Sequence, residues 1–106
     1  MKVEFEKKYL QELYYAGKAT DKKHRFQPQV VDGYLKCVRA LVKAVCLEDL
    51  YLIKSLNYKR LTGKKKGLSS LRINIQYRLE FREIQKPNNM LEIEICSLTD
   101  ITNHYK

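Results

Sequence analysis

Residues 68–82 read LSSLRINIQYRLEFR, and this stretch decides the fold. Apolar and polar side chains alternate through it, which is typical of a β-strand with one face in the core. An unbroken strand of this length would be unusual, and asparagine favours tight turns. We therefore predict a hairpin with its turn at residues 74–76, in a register that pairs Ile73 with Tyr77 on the inner face.

The same register sets Arg72 opposite Arg78 on the outer face of the hairpin. Like charges directly opposite each other destabilise a sheet, so the pair suggests a site that an anion fills. A guanidinium presents a rigid fork of donors that suits phosphate oxygens. The alternative, that both arginines are solvated surface residues with Glu80 as a partner, stays open at this level.

Positive charge is concentrated around this hairpin. Residues 50–79 contain eight Lys or Arg and no Asp or Glu, in a chain of formal net charge +9. Apolar residues recur through the block, so we expect the charge to lie on a folded surface rather than a disordered tail. Nucleic acid is the commonest extended polyanion. The candidate nucleic-acid-binding residues outside the arginine pair are Lys54, Lys59, Arg60, Lys64, Lys65 and Lys66.

The remaining elements follow from periodicity. We predict a short strand at residues 2–5, a helix at residues 6–16 that ends at Gly17, and a long helix at residues 27–45. A final strand at residues 90–96 follows a turn that contains Pro87.

Together these elements predict an α+β fold. A short N-terminal strand and two helices precede a three-stranded antiparallel meander, and the helices pack on one face of a small twisted sheet. The other face then stays open. It carries the arginine pair and the lysine loop, residues 59–66.

Composition limits the class of protein. The 106 residues are expected to form one domain, 1–106. No apolar run approaches the roughly 20 residues of a membrane span, and the N-terminus lacks a signal peptide's apolar stretch. We therefore expect a cytoplasmic protein without a membrane partner. Cys37, Cys46 and Cys96 have no Cys-x-x-Cys spacing, so reduced thiols are expected rather than disulfides or a zinc site.

The stretch from residue 56 to 81, LNYKRLTGKKKGLSSLRINIQYRLEF, resembles the signature of the RelE/HigB toxin superfamily. A glycine-flanked basic loop precedes a Ser-x-Arg-Ile-Asn strand, a tight turn, and a Gln-Tyr-Arg strand that ends in an aromatic residue. The resemblance extends over essentially the whole chain and is closest to the HigB branch.

This resemblance implies the toxin of a bacterial type II toxin-antitoxin system, with a RelE-like fold. Such a toxin inhibits translation as a ribosome-dependent mRNA endonuclease, in which the RNA's own 2′-hydroxyl attacks the adjacent phosphate without a metal or cofactor. The implied partners are a HigA-like helix-turn-helix antitoxin, mRNA in the ribosomal A site, and ribosomal RNA.

The resemblance also implies catalytic residues. Arg72 and Arg78 would stabilise transition-state charge. His104 and Tyr105 lie where the family places a proton-transfer group, although the usual order has tyrosine before histidine. A lysine of the 64–66 triplet could instead act as the base. Contact of these lysines with backbone phosphates is the favoured interpretation.

The residues themselves favour metal-free cleavage, because a magnesium nuclease needs carboxylates at the phosphate and the basic block has none. Cationic donors that stabilise a phosphorane fit that block better. Two alternatives remain: a ParE-like poison of DNA gyrase, and a non-catalytic RNA-binding or inactivated toxin domain.

Tyr58 and Tyr77 could stack on bases, but core packing is the favoured role. His24 is expected to be structural.

Overall fold

The structure is a computed structural model. It describes residues 1–103, except for the side chains of Met90 and Leu91. Its helices are α1 (Lys8–Ala16), α2 (Pro28–Lys43) and α3 (Leu47–Tyr51). Its strands are β1 (Lys2–Phe5), β2 (Lys59–Arg60), β3 (Leu68–Arg72), β4 (Tyr77–Lys86) and β5 (Asn89–Asn103). Single turns of 3₁₀-helix lie at Lys22–His24, Lys54–Leu56 and Gly63–Lys65.

The five strands form one mixed sheet in the order β1-β5-β4-β3-β2. β1 runs parallel to β5, and the other neighbours are antiparallel. The predicted α+β class, the N-terminal strand and the antiparallel meander are confirmed. Because β1 joins the edge of the meander and β2 extends its other side, the sheet has two more strands than the three of the predicted meander.

The last strand is longer than predicted, since β5 continues to Asn103 instead of ending at residue 96. Its pairing with β4 shifts by one residue between Glu80 and Phe81, which is a β-bulge. The bulge puts the buried Leu98 and Ile101 three positions apart. This spacing breaks the period of two, so the alternation of apolar residues does not predict the second half of the strand.

Both long helices turn an apolar stripe towards the sheet. In α1 the buried residues are Tyr9, Leu10 and Leu13, and Gly17 ends the helix with a left-handed φ of 78°. In α2 they are Val30, Val31, Tyr34, Cys37, Val38 and Leu41. This helix stops at Lys43, short of the predicted residue 45, and Val45 is 85% exposed. The short helix α3 was not predicted, because five residues are too few to show a helical period.

The core lies between these helices and one face of the sheet. Its strand residues include Leu71, Leu79, Phe81 and Leu98, all fully buried. The opposite face carries the polar side chains that alternate with them. No helix within residues 1–103 is both long enough and apolar enough to cross a membrane.

Candidate active site

The hairpin between β3 and β4 has the predicted turn. The Asn74 side-chain oxygen Oδ1 accepts hydrogen bonds from the backbone N–H groups of Gln76, at 2.9 Å, and Tyr77, at 2.7 Å. The Ile73 N–H donates to the Tyr77 carbonyl at 3.0 Å. A side chain that satisfies two backbone donors fixes the turn locally, which explains why the sequence alone located it.

Helix α2 supports the hairpin from the core side. A Cβ added to Gly33 would come within 2.4 Å of the Ile73 carbonyl oxygen, so only glycine permits this approach. One turn further on, the Cys37 thiol donates a hydrogen bond to the Arg72 carbonyl oxygen at 3.4 Å. The strand that carries Arg72 is therefore held against a rigid helix.

Arg72 and Arg78 are direct cross-strand partners, as the sequence predicted. Their environments differ. Arg72 is exposed, and its Nε donates to the Asn74 carbonyl at 3.3 Å. Arg78 is only 9% exposed, and its Nη1 contacts the Ser70 hydroxyl at 3.4 Å.

Both arginines therefore lie on the outer face of the hairpin, as predicted, but Arg78 is buried there while Arg72 is exposed. The reason is the position of β4 between β3 and β5, which places Arg72 on one side of Arg78 and Thr102 on the other. Arg72 lies beyond the short β2, whose pairing covers only Ser69 and Ser70. A guanidinium with few screening waters interacts more strongly with an anion than an exposed one does.

A carboxylate lies on the same strand as Arg78. Glu80 is 6% exposed, and its Oε2 accepts hydrogen bonds from Lys65 Nζ at 2.6 Å and from Thr102 Oγ1 at 3.1 Å. Glu80 follows the end of the basic block at residue 79, so the block's composition did not reveal it. Its spacing of two from Arg78 was the available signal, because residues i and i+2 of a strand share a face.

One side chain of the lysine loop, Lys65, pairs with Glu80 on the sheet face that carries Arg78. All three lysines of the 64–66 triplet are exposed. Lys59 is exposed and is the cross-strand partner of Ser70, which places it on the face of Arg78.

Two other predicted binding residues lie apart from the arginine pair. Arg60 contacts Glu83 at 3.4 Å and pairs with Ser69, on the opposite face of β3 from Ser70. Lys54 is exposed in the 3₁₀ turn after α3. The structure therefore places Arg60 on the opposite sheet face from Arg78.

Tyr58 has a packing role. Its ring lies 6.3 Å from that of Phe81, and its hydroxyl donates to Glu83. Burial and the Glu83 hydrogen bond raise the pKa of Tyr58 to about 12. Tyr77 packs edge-on against Phe26, with 5.4 Å between ring centroids.

The histidines fall in different places. The His24 ring stacks on Tyr9 with 3.6 Å between centroids and contacts Asp21 through Nδ1 at 2.9 Å. The hydrogen bond from His24 lowers the pKa of the Asp21 carboxyl. These contacts agree with a structural role for His24.

The predicted His104 and Tyr105 lie outside the described residues. The last described residue, Asn103, is the cross-strand partner of Tyr77, one position from Arg78.

Within residues 1–103 no three His, Cys, Asp or Glu side chains are grouped so that they could hold a metal ion. Burial raises the pKa of both the Cys37 and the Cys96 thiol to about 12.

Comparisons with known proteins agree with this fold. A family model described as a RelE-like toxin of the type II toxin-antitoxin system HigB matches residues 3–93. Toxin HigB-1 of Vibrio cholerae serotype O1 is 34% identical over 83 residues, which cover 77% of this chain and 83% of that protein. The solved structure of a YoeB/ParE toxin from Agrobacterium tumefaciens has a TM-score of 0.56 at 17% identity, covering 99% of this chain and 100% of that one.

The fold, with its arginine hairpin beside a basic loop, defines the class as a RelE-like toxin. More narrowly, the chain belongs to the HigB-like toxin family and is the toxin of a type II toxin-antitoxin system.

Proposed function

We propose that this toxin inhibits translation as a ribosome-dependent, metal-free mRNA endonuclease. The observation that carries the proposal is the pairing of Arg72 with the buried Arg78 on the sheet face opposite the helices. Two cations held face to face in a folded sheet repel each other, and a bound phosphate removes that cost. The proposed reaction is attack of the mRNA 2′-hydroxyl on the adjacent phosphate.

In this proposal the two arginines act on the phosphate. Arg78 binds the scissile group from a desolvated position, and the exposed Arg72 approaches from the neighbouring strand. Both stabilise the extra negative charge of the phosphorane. Such electrostatic stabilisation by preorganised donors is usually the largest single contribution to catalysis. His104 and Tyr105 transfer protons, and histidine suits that task near neutral pH.

The remaining cations dock the toxin on its substrate complex. Lys59, Lys64 and Lys66 are exposed on β2 and the following loop, where they can contact backbone phosphates of mRNA or ribosomal RNA. Lys54 and Arg60, which are both exposed, are also proposed to contact ribosomal RNA. A HigA-like helix-turn-helix antitoxin is the proposed inhibitor, and action on ribosomes places the toxin in the cytoplasm.

The test is cleavage of a defined mRNA on programmed ribosomes by wild type and by Arg78→Ala. We expect cleavage by the wild type and a loss of at least about 100-fold in the variant, the scale of removing one transition-state donor. Arg82→Ala is the matched control, because this exposed arginine lies on the same strand and pairs with Glu6 at 3.2 Å. Unchanged cutting by a folded Arg78→Ala protein would contradict the assignment.

The proton-transfer residues need separate variants. His104→Ala and Tyr105→Phe are compared with the wild type, and the residue that transfers a proton should lose roughly 100-fold or more. Near wild-type rates in both variants would move that role elsewhere in the site.

Expression of the toxin in cells distinguishes the alternative functions. Loss of mRNA soon after induction supports the endonuclease. A DNA-damage response with intact mRNA would identify a gyrase poison, and ribosome binding without cleavage would identify a non-catalytic domain.

A further inference from the structure

We propose that Glu80 is a further catalytic residue of this site, the base that takes the proton from the attacking 2′-hydroxyl. The inference rests on the proposed endonuclease function and adds a group that the basic block does not contain. It comes from three features of the carboxylate: how it is anchored, what surrounds it, and where it lies relative to Arg78.

The Glu80 carboxylate is anchored through one oxygen. Lys65 Nζ and Thr102 Oγ1 both donate to Oε2, at 2.6 and 3.1 Å. Within residues 1–103 no hydrogen bond reaches Oε1. The main chain is also held, because Thr99 Oγ1 donates to the Glu80 carbonyl at 3.1 Å. A carboxylate with one fixed oxygen and one available oxygen is preorganised to accept a proton.

The surroundings make a carboxylate tolerable at a phosphate site. Lys65 neutralises its charge, and Arg78 on the same strand and Arg72 across from it leave the surface net positive. Two further charged groups lie near the Glu80 backbone, and both have partners elsewhere. Asp100 is the cross-strand partner of Glu80, and its carboxylate binds the Tyr9 hydroxyl and Lys7. Arg82 lies two positions further along β4 and binds Glu6.

The third feature is the position of Glu80 relative to Arg78. Glu80 and Arg78 are separated by two residues of β4, which is about 7 Å along the strand. A phosphate held by Arg78 therefore brings the neighbouring ribose within reach of Glu80. A base must lie within hydrogen-bonding distance of the proton it removes, and this spacing permits that contact.

The chemical step balances without an oxidant or a metal. Glu80 Oε1 takes the proton from the 2′-hydroxyl as the bond from O2′ to phosphorus forms. The bond from phosphorus to O5′ breaks, and the 5′-oxygen receives a proton from His104 or Tyr105. The products are a 2′,3′-cyclic phosphate and a 5′-hydroxyl.

Glu80→Gln is the decisive variant, because glutamine keeps the shape and an acceptor for Lys65 and Thr102 but cannot take a proton. We expect cleavage on programmed ribosomes to fall at least about 100-fold while ribosome binding is unchanged. Glu80→Asp should retain more activity than Glu80→Gln. Thr102→Val removes one anchor and should lose less than tenfold.

Two results would overturn the inference. One is cleavage by folded Glu80→Gln within threefold of wild type. The other comes from an mRNA whose scissile 5′-oxygen is replaced by sulfur, a better leaving group that needs no acid. The Glu80→Gln defect should persist on this RNA, and its full recovery would assign Glu80 to the leaving group. Wild type that cuts no RNA would instead refute the endonuclease proposal itself.

Discussion

Gly33 of α2 lies against the main chain of Ile73 so closely that a Cβ on this glycine would come within 2.4 Å of the Ile73 carbonyl oxygen. The contact joins the longest helix to the strand end that carries Arg72. It also explains a glycine in the middle of a helix, where glycine costs about 1 kcal/mol relative to alanine. A larger residue would clash with Ile73, so the close approach of helix and strand requires glycine here.

Gly33→Ala should therefore destabilise the protein, against the usual effect of this substitution in a helix. The added methyl group overlaps backbone, so we expect a loss of about 1–3 kcal/mol in the free energy of unfolding, measured by urea denaturation. Cleavage should also fall, because the hairpin must move.

Gly17→Ala is the matched control for that experiment. Gly17 has a φ of 78°, and within the described residues no atom beyond its chain neighbours lies within 4 Å of its Cβ position, so alanine there adds backbone strain without a clash. It should cost about 1 kcal/mol and leave cleavage at wild-type rates below the unfolding transition. Equal cleavage by both variants would contradict the role of α2 as a support.

Arginine-to-lysine exchanges should separate the two arginines of the hairpin. A lysine keeps the charge but loses the planar fork. Arg78 is buried beside Ser70, so Arg78→Lys should lose about 100-fold in single-turnover cleavage. The exposed Arg72 can be replaced with a smaller loss, about tenfold. The reverse ranking would show that the exposed arginine makes the main phosphate contact.

Tyr58→Phe should lower stability without lowering cleavage. The hydroxyl donates to Glu83, and loss of such a hydrogen bond costs about 1 kcal/mol. The folded pKa of about 12 lies above the ordinary value of 10. The stabilisation is therefore fully present below about pH 10 and is lost as pH rises towards 12.

Urea denaturation between pH 9 and 12 checks this sign. Wild type should lose its advantage over Tyr58→Phe as pH rises through this range. A constant difference, or one that grows with pH, would contradict the described environment of Tyr58.

Thiol labelling tests the core. Cys46 is exposed, while Cys37 and Cys96 are buried with pKa values raised to about 12. At pH 8 about one in 10⁴ of such buried thiols is a thiolate, the reactive form. We expect one thiol to react with a chromogenic disulfide in the native protein and all three in denaturant. Rapid reaction of more than one native thiol would be inconsistent with this packing.

Local patterns predicted a large part of the fold. The period of two located the hairpin, Asn74 fixed its turn, and the register set Arg72 opposite Arg78. The apolar stripe of α2 gave that helix to within two residues at its C-terminal end. The bulge in β5 and the five-residue α3 escaped, because neither produces a regular period.

The sequence by itself determined the hairpin, its cross-strand arginine pair and the resemblance to RelE-like toxins, since each depends on residues close together in the chain. Only the tertiary structure decided that Arg78 is buried, that Arg60 faces away from it, and that Lys65 holds Glu80 within the same surface. These outcomes depend on which strands flank β4 and on how the loop folds back over the sheet. Burial and charge pairing are set by those neighbours in space, and residue order alone does not specify them.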